Sequence, residues 1–177
     1  MKHKTSKYKL IILSLIALGL FSCSDDTAPG NAQFITLEEL RITPGFEWFD
    51  EGYNSYQPVQ EVIDSIANAI KDSNKNFILY VNPSCSCTGT QKMFPSSIKI
   101  LQAAGINEPQ FKIYMMYLET DNHPYMNNFK VNDLPCFFTI SDNIPDYSIY
   151  DSLTYYNESV PDSTFRIEDF VYKAIKK

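Results

Sequence analysis

The sequence predicts an α/β fold, a mixed central sheet flanked by helices. Three observations predict it. Apolar residues recur at three- and four-residue steps in segments 58–73, 88–104 and 161–177. Apolar runs of strand length stand at 77–81, 111–118 and 137–140. With a fourth strand expected from 147–156, the order is helix, strand, helix, strand, then strand, strand, helix. That order describes a βαβ unit followed by a hairpin and a closing helix. No internal repeat competes with it.

The chain starts with a basic segment, Lys2, Lys4, Lys7 and Lys9, and an apolar run from Leu10 to Phe21. The run is too short to cross a bilayer comfortably, so residues 1–22 read as a secretory signal. No small-x-small cleavage site closes it. Leu20-Phe21-Ser22-Cys23 instead resembles a bacterial lipobox. The resemblance implies that Cys23 is diacylated and becomes the first residue of the mature chain. An ordinary signal peptide with a coincidental Cys is the alternative. The expected location is the cell envelope, anchored by lipid to a bacterial membrane on its periplasmic face or at the cell surface.

Cys23 and residues 24–33, SDDTAPGNAQ, are expected to form a flexible tether, being polar and broken by Pro and Gly. Asp26-Thr27-Ala28 is similar to an O-glycosylation sequon, although a plain solvated linker explains the same residues. Four of the 15 basic residues precede Cys23 and none of the 21 acidic ones does. The chain from Cys23 onward thus carries 11 basic against 21 acidic residues, a net charge of −10 with His neutral. Such a balance argues against nucleic acid as a partner, because phosphate binding draws on Lys and Arg. The roughly 155 residues that remain suit one domain with one core.

Residues 34–56 form an aromatic-rich extension with Phe46, Trp48, Phe49, Tyr53 and Tyr56, expected to supply an extra strand or a lid over the core. From Pro58 to about Ser73, Val59, Val62, Ile63, Ile66 and Ile70 make an amphipathic helix, with Pro58 suited to the first turn. Asn74-Lys75-Asn76 ends it. Phe77 to Val81 is a strand buried on both faces. Thr88 to about Ala104 is helical, with Met93, Phe94, Ile98, Ile100 and Leu101 along it and Gly105 past its end. Phe111 to Leu118 is a second strand and Phe137 to Ile140 a third. Tyr147 to Tyr156 is expected to supply a fourth. In 161–177, Phe165, Ile167, Phe170, Val171 and Ile175 share a helical face, and basic residues gather at its C-terminal end.

Between the first strand and the second helix lies Pro83-Ser84-Cys85-Ser86-Cys87. This Cys-rich turn, with the element order around it, resembles the thioredoxin fold, which implies a three-layer sandwich over roughly residues 57–177. Ile78 to Pro95 is similar to the family's central strand, active-site turn and kinked helix. Cys87 precedes Pro95 by eight residues, the family's spacing from nucleophile to helix proline. Phe129 to Ile140, FKVNDLPCFFTI, resembles the strand entry that carries the family's cis proline, which would be Pro135, with Leu134 before it. The chain departs from the pattern at four places. Thr90 stands where the resolving Cys would be, Ser86 replaces the aromatic before the nucleophile, Val81 replaces the buried acid, and the Gly before the last helix is missing.

A thiol at a helix N-terminus faces unpaired N–H groups and the positive end of the dipole, so Cys87 is the expected nucleophile in thiol–disulfide exchange on extracytoplasmic proteins. Thr90 is placed to donate a hydrogen bond to its thiolate. The resemblance implies that Pro135 shapes a peptide-binding edge. Cys85 is the candidate resolving thiol; a Cys-Ser-Cys ring is small and strained, which favours oxidation or isomerisation of partners over their reduction. Cys87 acting alone is the monothiol variant. No cofactor is implied. Two further readings stand beside this one. The domain could be a redox-inactive binding or structural lipoprotein, since fold does not dictate function. Alternatively, Cys85, Cys87 and Cys136 could hold Cu(I), with Met115, Met116 and His123 as further candidates. The Met pair reads more simply as core, His123 as a surface loop residue, and Cys136 as a small buried side chain.

Overall fold

The computed structural model describes residues 29–160 and 164–177. The signal segment, Cys23, the Asp26-Thr27-Ala28 sequence and most of the expected tether lie outside the described residues. Among the described residues the order is β1 (Gln33–Ile35), α1 (Leu37–Ile42), α2 (Phe49–Ser55), α3 (Gln60–Lys71), β2 (Asn76–Val81), α4 (Thr88–Ala103), β3 (Phe111–Met115), β4 (Cys136–Ser141), β5 (Ile144–Ser148), α5 (Ile149–Ser159) and α6 (Ile167–Lys176). No helix among them is long and apolar enough to cross a membrane.

The strands form one open mixed sheet in the order β1-β3-β2-β4-β5. β2 and β3 are parallel and joined through α4, while β1, β4 and β5 run antiparallel to their neighbours. The α/β class and the expected sequence of βαβ unit, hairpin and closing helix are what the molecule has, an arrangement consistent with a thioredoxin-like α/β sandwich.

Alternation along β2 sorts the core into two layers. Phe77, Leu79 and Val81 join the larger cluster, to which all six helices contribute, among them Leu40, Phe49, Ile66, Phe94, Leu153 and Phe170. Ile78 and Tyr80 point to the other face, where Tyr114, Met116, Val131 and Cys136 pack under Tyr125, Phe129 and Leu134. The cover on that face is the segment 116–135, which holds no helix or strand. The sandwich thus has helices on one face and an irregular layer on the other.

Four sequence expectations are modified. Tyr147 to Tyr156 is not one strand: β5 ends at Ser148, and Ile149–Ser159 is α5. Ser148 caps that helix by accepting from the Asp151 N–H, and Ile149, Tyr150 and Leu153 lie on its buried face. The strand expected over 111–118 stops at Met115, because the Asp121 carboxylate takes the N–H groups of Tyr117 and Leu118 at 3.0 and 3.2 Å. The extension supplies both a strand and a cover: β1 pairs with β3, and α2 lies against α4. The far end of the tether segment is held by the domain. Gly30 N–H donates to Asp121 Oδ1 at 2.8 Å, Asn31 bridges to Asn122, and Gln33 pairs with Met115.

The contact between α2 and α4 depends on two residues. Pro95 inside α4 lacks an N–H, so the Gln91 carbonyl has no helical donor. Gly52 of α2 sits against that carbonyl so closely that a Cβ would lie 2.4 Å from Gln91 O and 2.9 Å from Pro95 Cγ. Phe46, Trp48 and Phe49 surround Phe94 beside it. A second clasp joins the extension to α6. Glu168 is fully buried; it accepts from the Tyr56 hydroxyl, from Val59 N–H at 3.1 Å and from Arg166 Nε at 2.6 Å.

Candidate functional site

The Cys turn follows β2 directly, and Asn82 shapes it. Asn82 Oδ1 accepts from Ser84 N–H at 2.8 Å, its carbonyl accepts from Cys85 N–H at 3.2 Å, and its Nδ2 donates to the Tyr117 carbonyl at 2.9 Å. The first two bonds fold the chain back at Pro83, as an Asx residue before proline is suited to do. Pro83 is buried against Gly45, whose φ of +96° and 3.0 Å Cβ clearance from Pro83 require glycine. The extension therefore braces the back of the turn.

Cys87 is the N-cap residue of α4. Its backbone is extended, with φ −72° and ψ 132°, and its carbonyl accepts from Gln91 N–H. The side chain is exposed and free, and no acidic residue stands in the first turn to compete for the helix N–H groups. Thr90, one turn on, is 1 % exposed. Its hydroxyl oxygen lies 2.7 Å from Cys87 Sγ and 3.2 Å from Cys85 Sγ. One hydroxyl thus touches both thiols. Having a single proton, it can donate to only one of the two sulfurs at a time. Partial burial pushes the Cys87 thiol up. Bonds from Cys85, from the Thr90 hydroxyl and from the backbone N–H groups of Thr90 and Cys87 outweigh this and hold its pKa below the ordinary cysteine value.

Cys85, Cys87 and Thr90 are therefore brought together. The Leu134–Pro135 peptide bond is cis. Cys136 follows it at the start of β4, buried and in register with Tyr80. Burial, with the charges of Asp151 and Asp133, pushes the Cys136 thiol far up, so it stays protonated and inert. Among the described residues no three His, Cys, Asp or Glu side chains gather at metal-binding distance, so the set Cys85, Cys87, Cys136 is not assembled. Met116 is fully buried and Met115 packs against the helix-side core.

His123 is where the sequence reading fails. It is buried, not at the surface, and its Nδ1 lies 3.0 Å from the Tyr80 hydroxyl, with Phe129 packed on its ring. Burial holds its pKa below the usual histidine value. It pins the irregular layer to the sheet through Tyr80 and Phe129. Asn82 and Asp121 are the other residues that sequence reasoning missed. The Asn-Pro pair at the end of a strand was the available signal for the first. For the second, the turn it closes with the N–H groups of Tyr117 and Leu118 is local, but its bond to Gly30 N–H, 91 residues away, has no local signal.

Comparison with protein-family models, with curated proteins and with solved structures found no match. The sheet with its helices and the neighbouring Cys85 and Cys87 are compatible with a thioredoxin-like fold. The chemistry of the site is that of an activated, exposed thiol with a second thiol beside it.

Proposed function

We propose that this chain is an exported, thioredoxin-like lipoprotein, anchored in the cell envelope through Cys23, that exchanges disulfides with extracytoplasmic proteins. The observation that carries the reading is the Thr90 hydroxyl held between Cys87 Sγ and Cys85 Sγ at the N-terminus of α4. The Cys87 thiolate attacks one sulfur of a substrate disulfide; the other sulfur leaves as thiolate and takes a proton from water. Cys85 then loses its proton and attacks Cys87 Sγ, which frees the substrate's remaining sulfur and leaves a Cys85–Cys87 disulfide. The substrate has been reduced by two electrons and the pair oxidised. A dithiol partner resets the pair. Run in reverse, with an upstream disulfide as oxidant, the same steps oxidise a substrate. If Cys87 alone acts, attack and release without net electron flow shuffle substrate disulfides. Pro135 lines the edge where the substrate chain lies.

The test is residue-resolved alkylation against pH, before and after reduction, followed by trapping with Cys85→Ser. The reading expects Cys87 to react with a midpoint below the free-thiol value of about 8.5, and a mixed disulfide to accumulate in the variant. Ordinary Cys87 reactivity with no trapped partner would leave a binding module in its place.

A further inference from the structure

A shallow groove of about 520 Å³ lies between β5, α5 and the last turn of α6, lined by Tyr147, Ser152, Tyr156, Lys173, Lys176 and Lys177. Tyr147 is paired with Thr139, which is paired with Phe77 at the start of β2. The groove is thus at the opposite end of β2 from the Cys turn. Three features set it apart. The lysines are spaced i, i+3 and i+4 on one helical face, where like charges repel, and among the described residues none of them forms an ion pair. Aromatic rings floor the groove, with Lys173 Nζ 4.0 Å above the Tyr156 ring and Lys177 Nζ 5.2 Å above the Tyr147 ring. The Tyr147 hydroxyl is buried beneath them, with no hydrogen-bond partner among the described residues. The helix dipole accounts for cations in a last turn. It does not account for a buried donor left unpaired, which is destabilising.

We propose that this groove binds a phosphate-type oxyanion, held by Lys173, Lys176 and Lys177 and by the Tyr147 hydroxyl. The anion relieves the repulsion among the three ammonium groups. The flexible lysine stems that close over Tyr147 swing to the anion, and its hydroxyl gains the acceptor it lacks. Such a cluster stands out in a chain that carries −10 beyond Ser22. The aromatic floor suits a phosphate that bears an organic group, on a soluble ester or on a lipid headgroup. This inference does not depend on the thiol chemistry.

The experiment is calorimetric titration of the full chain with inorganic phosphate at low salt. A second arm measures sedimentation with phosphatidylglycerol–phosphatidylcholine vesicles against phosphatidylcholine vesicles. Saturable binding is expected in at least one arm, weaker by about tenfold or more when Lys173, Lys176 and Lys177 are all changed to Gln, and unchanged in Lys92→Gln. Tyr147→Phe separates a ligand role from a structural one. It should weaken binding by about threefold to tenfold while leaving the unliganded protein at least as stable, since it removes an unsatisfied buried hydroxyl. Phosphate binding identifies a soluble ligand, and binding to the anionic vesicles alone identifies a headgroup. No saturable binding in either arm, or equal binding by the parent and the triple variant, overturns the proposal.

Discussion

Replacing Thr90 by Val removes one hydroxyl and leaves the outline of the side chain. That hydroxyl lies 2.7 Å from Cys87 Sγ. A hydrogen bond to a charged acceptor contributes about 1.5–3 kcal/mol, and the exposure of Cys87 puts this one at the low end. About 1.4 kcal/mol corresponds to one pH unit, so the midpoint of Cys87 alkylation should rise by about one. Near neutral pH the thiolate population then falls about tenfold. Each remaining thiolate is more nucleophilic, with reactivity rising at about 0.4–0.5 per pKa unit, or about threefold here. The variant should therefore react about threefold more slowly at neutral pH and about threefold faster above its new midpoint, so that the two rate profiles cross. The assay is iodoacetamide labelling from about pH 5 to about pH 10, with Cys87 followed by mass spectrometry and Thr90→Ser as the restoring control. Profiles that fall in parallel would mean that Thr90 only shapes the turn. Superimposed profiles would mean that it does not act on the thiolate at all.

Gly52→Ala gains helix propensity in α2 but drives a Cβ to 2.4 Å from Gln91 O. The clash should win, lowering stability in urea by about 1–3 kcal/mol, whereas Gly89→Ala, with nothing within 4 Å, should be neutral or stabilising; a stabilised Gly52→Ala would refute the close approach. For Glu168, burial raises the pKa, but bonds from Tyr56, backbone N–H groups and Arg166 overcome it and hold it below the ordinary 4.5. The unfolded chain therefore binds that proton more readily. The stabilisation is complete above pH 4.5 and is lost as the pH falls through the folded value. Glu168→Gln should cost about 2–4 kcal/mol at neutral pH and flatten the acid limb of a stability–pH curve. An acid limb as steep as the parent's would contradict this assignment. Asn82→Ala should free the Ser84 amide to exchange with solvent and cost about 1 kcal/mol. Unchanged hydrogen exchange at Ser84 would show that Asn82 does not shape the turn.

Much of the helix-side layer was readable in the sequence. α3, α4 and α6 bury stripes that recur at the helical period, and β2 is apolar along nearly its whole length because both its faces are covered. The positions of Cys87 and Thr90 followed from the turn between them. α5 was misread because Tyr147, Tyr150, Tyr155 and Tyr156 suit strands as well as helices. The cap formed by Ser148 and the Ile149, Tyr150, Leu153 spacing decide for helix. The second layer was not readable. Segment 116–135 is polar and aperiodic, and His123 and Asp121 are buried only because the segment folds across the far sheet face. Its order depends on contacts between residues distant in sequence, such as Gly30 with Asp121 and Tyr80 with His123. No local pattern records those.

The docking of Gly30 on Asp121 has a geographic consequence. Asp121 also holds Tyr117 N–H, and the Tyr117 carbonyl is held by Asn82 of the Cys turn. The point where the chain leaves the domain toward Cys23 is thus tied by three side-chain bonds to the reactive end of the molecule. Six residues lie between Cys23 and Gly30, and the seven steps from one to the other make a leash of at most about 25 Å when fully extended. With a lipid at Cys23, Cys87 would patrol a thin shell above the bilayer and would not range through the bulk compartment. Partners held in the same membrane would meet it at the raised effective concentration of a tethered reaction, and freely diffusing ones would not.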